Sequence, residues 1–201
     1  MKIYGDNNSG NCLKVKWVCD RLRLSYSWIA VDTMKRETRT PQFLALNSAG
    51  QVPVVELDDG GTLAQSNAII RYLARGSALI PQDPFAAAKM DEWLFWEQYS
   101  HEPYIAVCRF QMIYLGKQAT ELDPDKVQRG HAALERMEQH LAGTRFLVAD
   151  AFSLADVALL AYTRVAHQGG FDLARYPSIR RWIKDGETQL GLPPASRWGQ
   201  P

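Results

Sequence analysis

Three short stretches of this chain gather residue types that can do chemistry. Ser9-Gly10-Asn11-Cys12 sets a hydroxyl, an amide and a thiol at the head of an apolar helical pattern. A helix start leaves backbone N–H groups unmet and carries the positive end of the helix dipole, so it favours anions. Ser9 or Asn11 would cap such a helix, and the Ser9 hydroxyl could equally donate to a bound anion. A plain capped turn accounts for the same residues. Cys12 lies just inside the helix, where the dipole lowers a thiol's pKa and favours a nucleophile. Cys12 and Cys19 are also spaced to share one helical face, which suits two buried small residues. No C-x-x-C spacing occurs, so neither dithiol redox chemistry nor a zinc knuckle is indicated.

The second stretch is Gln51-Val52-Pro53. A proline at a strand's first position gives no N–H to the ladder. A cis Val52–Pro53 bond would leave the Val52 amide and carbonyl turned out to pair with an extended ligand backbone. Cis X-Pro bonds are only about 5–6% of cases, so the residues alone argue for trans. The third stretch is Gln65-Ser66-Asn67-Ala68. Ser66 reads as an N-cap, yet three residues on stands Ile69 and not an acid. Open amides there could bind a carboxylate, or water. At Ser153-Leu154-Ala155-Asp156 the acid is present, and Phe152 and Val157 resemble a hydrophobic staple.

The elements that must position these groups divide into two rhythms. Up to residue 77, strand and helix signals alternate: a strand at Lys2-Ile3-Tyr4 and a helix from Cys12 through Leu24. A strand at Tyr26–Val31 and a short helix opened by Pro41 follow. Next come a strand at Val52–Leu57, the hairpin turn Asp58-Asp59-Gly60-Gly61 and a returning strand at Thr62-Leu63-Ala64. A helix from Ser66 to Arg75 ends at Gly76. The order β-α-β-α-β-β-α predicts an α/β unit with a mixed sheet. Residues 78–85, with Pro81 and Pro84, read as a linker. Residues 86–201 carry only helical periodicity, which predicts an all-α domain. Its helices are Ala86–Leu115 kinked at Pro103, Lys126–Leu141, a buried Ser153–Ala166, and Tyr176–Leu190.

Composition narrows the function classes. Hydrophobic residues are 46% and charged residues 22%, so a core is expected and disorder is not. A net charge of +1 leaves no basic nucleic-acid surface. Three cysteines make no disulfide framework and suit a reducing, cytoplasmic setting. No run approaches the roughly 18 apolar residues of a membrane span, and the first residues lack a signal peptide's apolar segment.

Together these segments resemble the cytosolic glutathione S-transferase superfamily, across nearly the whole chain. The resemblance rests on Ser9-Gly10-Asn11-Cys12-Leu13-Lys14-Val15, on residues 43–57 (FLALNSAGQVPVVEL), on residues 65–73 (QSNAIIRYL), and on Phe152-Ser153-Leu154-Ala155-Asp156. It implies a thioredoxin-like domain followed by a helical domain. It also implies a bacterial-type member with a theta- and phi-like serine motif, working as a homodimer with glutathione as cosubstrate and no metal or other cofactor. Gln65 and Ser66 would hold the γ-glutamyl end. Val52, before a cis Pro53, would pair with the cysteinyl backbone, and Gln51 and Arg39 would approach the glycine carboxylate. Ser9 would donate to the glutathione sulfur and favour its thiolate, which then attacks small apolar electrophiles. Asn11 matches an asparagine of members that reduce disulfides, and Cys12 offers a mixed disulfide, so reduction is the enzymatic alternative. A non-catalytic, transferase-like binding protein is the other. The electrophile pocket would draw on Trp96, Tyr99, Tyr104, Arg109 and Phe110 of the long helix, chiefly Tyr104 and Arg109. The tail Trp198-Gly199-Gln200-Pro201 would either cover that pocket or fray into solvent.

Overall fold

The computed structural model describes residues 1–148 and 150–194; the Trp198–Pro201 tail lies outside them. The chain divides into two compact units, Met1–Ser77 and the residues from Ala78 onward.

In the first unit the expected order appears: β1 (Lys2–Gly5), α1 (Gly10–Leu22), β2 (Ser27–Ala30), α2 (Pro41–Leu46), β3 (Val54–Glu56), β4 (Thr62–Ala64) and α3 (Ser66–Leu73). The four strands form one mixed sheet in the order β2-β1-β3-β4. β1 and β2 run parallel because α1 carries the chain back between them; β1–β3 and β3–β4 are antiparallel. The β3–β4 hairpin turns where its acids and glycines predicted. Asp59 Oδ1 accepts from the Gly61 N–H at 2.9 Å, and Gly60 takes the left-handed conformation at φ +87°. α2 opens on Pro41, capped by Thr40 Oγ1 accepting from the Phe43 N–H. Ile3, Val15, Val18, Val55, Ile69 and Ile70 are all sealed from solvent, so α1, α3 and the sheet share a core. Tyr4 is structural: its hydroxyl donates to Glu56 and its ring meets Phe43 edge-on.

The strands are shorter than their apolar runs. The run at 52–57 becomes β3 only from Val54, because Pro53 has no N–H to give the ladder. β2 keeps four of the six expected residues.

Among its described residues the second unit has helices α4 (Pro84–Trp96), α5 (Glu102–Ile113), α6 (Pro124–Leu141), α7 (Leu154–Thr163) and α8 (Pro177–Leu190). Asp83 caps α4 through its carboxylate, starting that helix inside the stretch expected to link the units. The kink expected at Pro103 is a π-helical turn over Glu97–His101, ahead of the residue that has no N–H to continue the ladder. All ten residues of α7 are buried, as its apolar run predicted. Gly130 and Gly169 let neighbours approach closely: a Cβ at Gly130 would lie 2.4 Å from the Phe171 ring, and one at Gly169 2.8 Å from the α5 backbone.

Asp156 is the polar pivot of this unit. Its carboxylate accepts from the Ser153 N–H and hydroxyl, from the Leu147 N–H and from Trp182 Nε1, at 2.8–3.1 Å. Complete burial pushes its pKa up to about 6, against the pull of those donors. Asp156→Asn turns an NH2 group toward two of the four donors. The loss of stability is expected to be on the order of 3 kcal/mol in urea unfolding. A loss well under 1 kcal/mol would show that the carboxylate does not hold these segments together.

Candidate functional site

Strand register assembles the candidate residues. Tyr4 pairs with Val54 and Val54 with Ala64. The carboxyl end of β1, the Val52-Pro53 entry to β3 and the carboxyl end of β4 therefore lie along one edge of the sheet. From that edge the chain enters α1 through Ser9 and α3 through Gln65. The edge also carries the carboxyl ends of parallel strands, where open α/β sheets place their ligands.

At the start of α1, Ser9 is the N-cap residue in extended conformation, but its side chain makes no capping bond. An Asp6 turn shapes the approach: the Asp6 carbonyl accepts from the Ser9 N–H, and its carboxylate accepts from the Asn8 N–H and the Thr33 hydroxyl. Ser9 is half-buried, and its hydroxyl lies within hydrogen-bonding reach of the Cys12 sulfur. Cys12 faces the core and not the site. It is fully buried, its sulfur accepts from the Asp6 N–H, and burial pushes its pKa up to about 11. Desolvation outweighs the helix dipole here, so a nucleophilic Cys12 is at odds with this geometry.

At the start of α3 the cap is one residue earlier than the sequence suggested. Gln65 holds the N-cap position at φ +70°, a conformation that favours glycine, and Ser66 is the first helical residue. The strain turns the chain sharply from β4 into α3. Neither side chain caps the helix; instead Ser66 Oγ donates to Asn11 Oδ1 at 3.1 Å. The same oxygen accepts from Lys14 Nζ at 2.8 Å, and Lys14 Nζ also reaches Asn67 Oδ1 at 3.5 Å. Asn11 thus ties the two helix starts together. Sequence reasoning passed over Lys14 and Asn67. The available signal was the spacing of Asn11 and Lys14, three apart on α1, with Lys14 beside the buried Val15.

The Val52–Pro53 bond is cis. Upstream, Asn47 Nδ2 donates to the Gln51 carbonyl and Arg39 Nη1 to the Ala49 carbonyl. Gly50, at φ +61°, makes room for Arg39: a Cβ there would lie 2.5 Å from Nη1. Arg39 and Gln51 are both exposed and share this loop. In the helical unit, Tyr104 lines a groove of about 330 Å³ with Trp96, Tyr99, Arg129 and Arg136. Arg129 donates to the Tyr104 hydroxyl. Arg109 instead donates to Gln168, so the two candidates for the electrophile pocket have different partners. Among the described residues no cluster of His, Cys, Asp or Glu is placed to hold a metal, and no helix is long and apolar enough to cross a membrane.

Comparison with known proteins points to one family. Residues 8–75 match the family described as glutathione S-transferase, N-terminal domain, and residues 119–185 its C-terminal domain. A crystal structure of a glutathione S-transferase from Pseudomonas fluorescens is 45% identical, covers 98% of each chain and superposes with a TM-score of 0.92. One from Xanthobacter autotrophicus is 43% identical over 96% of this chain and 94% of its own, with a TM-score of 0.88. Glutathione S-transferase 3 of Zea mays is 32% identical over 90% of this chain and 86% of its own.

Cys19 and Cys108 are buried as well, and burial raises both thiols, Cys19 to about 12. Ellman's reagent at pH 8 is therefore expected to leave all three cysteines of the folded protein unmodified, and to titrate all three after denaturation. Rapid labelling of Cys12 in the folded protein would return it to the list of nucleophiles.

Proposed function

The chain belongs to the cytosolic glutathione S-transferase superfamily, and from that premise we propose a specific division of labour for its glutathione transferase chemistry. The γ-glutamyl carboxylate of glutathione sits on the backbone N–H groups at the start of α3, with Gln65 and Ser66. Val52 pairs with the cysteinyl backbone, and Arg39 and Gln51 approach the glycine carboxylate. The Ser9 hydroxyl donates to the sulfur. A helix start with open N–H groups offers a carboxylate both hydrogen bonds and a favourable dipole. A hydroxyl donor to sulfur stabilises thiolate over thiol, and a shift of about 2 pKa units corresponds to about 2.7 kcal/mol.

The reaction follows from that ionisation. The thiol gives its proton to solvent, and the thiolate's electron pair forms a C–S bond to an electron-poor carbon of a small apolar compound. A leaving group departs with its electron pair, or, in an addition, the pair moves into the acceptor, which is then protonated. Ser9 stabilises the nucleophile and is not itself the attacking atom. The observation that carries this reading is the uncapped Ser9 hydroxyl standing at one sheet edge with the uncapped start of α3. The burial of Cys12 weighs against the disulfide-reducing alternative through that thiol.

We also propose that the working form is a homodimer, and, from the family, that it works in the cytoplasm. Support comes from the aromatic groove of the helical unit, where Arg136 stacks over Trp93 and Trp96 while Tyr99 is 82% exposed. An aromatic and arginine-lined surface of this kind suits a protein interface, and on this reading Trp96, Tyr99 and Tyr104 serve that interface rather than the electrophile pocket expected of them. Equilibrium sedimentation should give twice the chain mass, and Tyr99→Glu should shift it toward the single chain. An unchanged dimer would move the interface elsewhere.

Glutathione or S-hexylglutathione at about 100 times its dissociation constant should stabilise the fold by about 2.7 kcal/mol in a thermal-shift series. The absence of a shift with both would sink the reading. Ser9→Ala should keep the shift and lower kcat for an activated chloronitrobenzene by roughly 10- to 1000-fold; an unchanged kcat would remove Ser9 from the chemistry.

A further inference from the structure

Lys14 is a lysine with no exposed surface at all, on the helix that carries Ser9. Withdrawing an amine from water costs several kcal/mol unless it is met by hydrogen bonds, and a methionine or leucine would fill the same volume without that cost. Packing alone therefore does not account for the residue. Two of its hydrogen-bond partners point to what does. Lys14 Nζ donates to Asn11 Oδ1 at 2.8 Å and to Asn67 Oδ1 at 3.5 Å, so one amine spans α1 and α3.

An asparagine amide is nearly symmetric in shape, and its two orientations differ in which end accepts and which donates. A lysine ammonium can only donate, so the Asn11 atom facing it is the oxygen. The Ser66 hydroxyl donates to that same oxygen at 3.1 Å. Were the amide reversed, its NH2 group would confront the ammonium, and Ser66 would lose its acceptor. Ser66 and Asn67 are the first two residues of α3. One oxygen thus links Ser66 at the start of α3 to the helix that begins at Ser9, and Lys14 orients that oxygen.

We propose that Lys14 is a positioning residue for glutathione: by orienting the Asn11 amide it holds the start of α3 in the register with Ser9 that the γ-glutamyl group and the sulfur require together. This rests on the glutathione-binding reading above. The role is affinity, not ionisation, and it predicts a kinetic signature unlike that of Ser9. Lys14→Met should raise KM for glutathione by about tenfold or more, the scale of one lost hydrogen bond to a charged group. It should leave kcat at saturating glutathione within about threefold, and the pH profile of kcat unmoved. Lys14→Arg, which restores a donor-only cation, should recover most of the lost affinity.

The wild-type thermal shift with glutathione is measured alongside. If wild type fails to shift, the binding reading itself fails. If wild type shifts and Lys14→Met keeps a KM within about twofold of wild type, the positioning role is overturned, whatever happens to its melting point. Should Lys14→Met not give a cooperative unfolding transition, Asn11→Ala removes the shared oxygen at a less buried position. It should raise KM for glutathione in the same way, and an unchanged KM there overturns the proposal equally.

Discussion

The first unit depends on two helices that begin beside each other at one edge of a sheet without using their own side chains to close their ends. Backbone N–H groups are costly to leave unmet, and most helices satisfy the first of them locally. α2 and α4 do so with Thr40 and Asp83. α1 and α3 do not. In their place Ser66 donates across to Asn11, which joins the two starts. The sheet makes this possible. Only because β3 runs antiparallel to both β1 and β4 do the exit from β1, the turn at Pro53 and the exit from β4 reach the same edge.

The helical unit shows the opposite solution to the same problem. At α7 the acid that α3 lacks is present, and Asp156 turns back on Ser153 while also receiving Leu147 and Trp182. Every donor in reach is taken, and the helix disappears into the core. At α7 the N-cap is Ser153 and the third helical residue is Asp156, whereas at α3 the N-cap is Gln65 and the third helical residue is Ala68, so one start closes on itself and the other has no acid in its first turn.

Much of this was legible because it is local. The Asp58–Gly61 hairpin, Pro41 as a helix opener, the buried α7 and the break before Pro103 all follow from backbone chemistry within a few residues. The order of strands and helices followed in turn, and with it the mixed sheet. What escaped was tertiary. Ser66 reads as a cap until Gln65 adopts φ +70° and displaces it into the first turn. Lys14 reads as one more cation on a helix face, because nothing in α1 alone shows that α3 will cover it. Its burial exists only when Asn11 and Asn67 come from different helices to meet it. Cys12 offered two readings, a reactive thiol at a helix start and a small residue sharing a buried face with Cys19, and the packed core decides for the second.

That contrast between sulfurs explains why a protein with a thiol one turn from its candidate active serine would borrow its nucleophile from a ligand. The dipole of α1 acts on both positions, but a thiolate at Cys12 must also be stripped of water, and that penalty wins, leaving a neutral group at about 11. A sulfur delivered to the Ser9 hydroxyl, as proposed, would face the same dipole and gain a donor without being buried in the core. On the proposed reading, the same backbone geometry suppresses ionisation at Cys12 and favours it for the sulfur beside Ser9. On that reading reactivity depends on a ligand bound at this end of the sheet, while the protein's own cysteines are core residues.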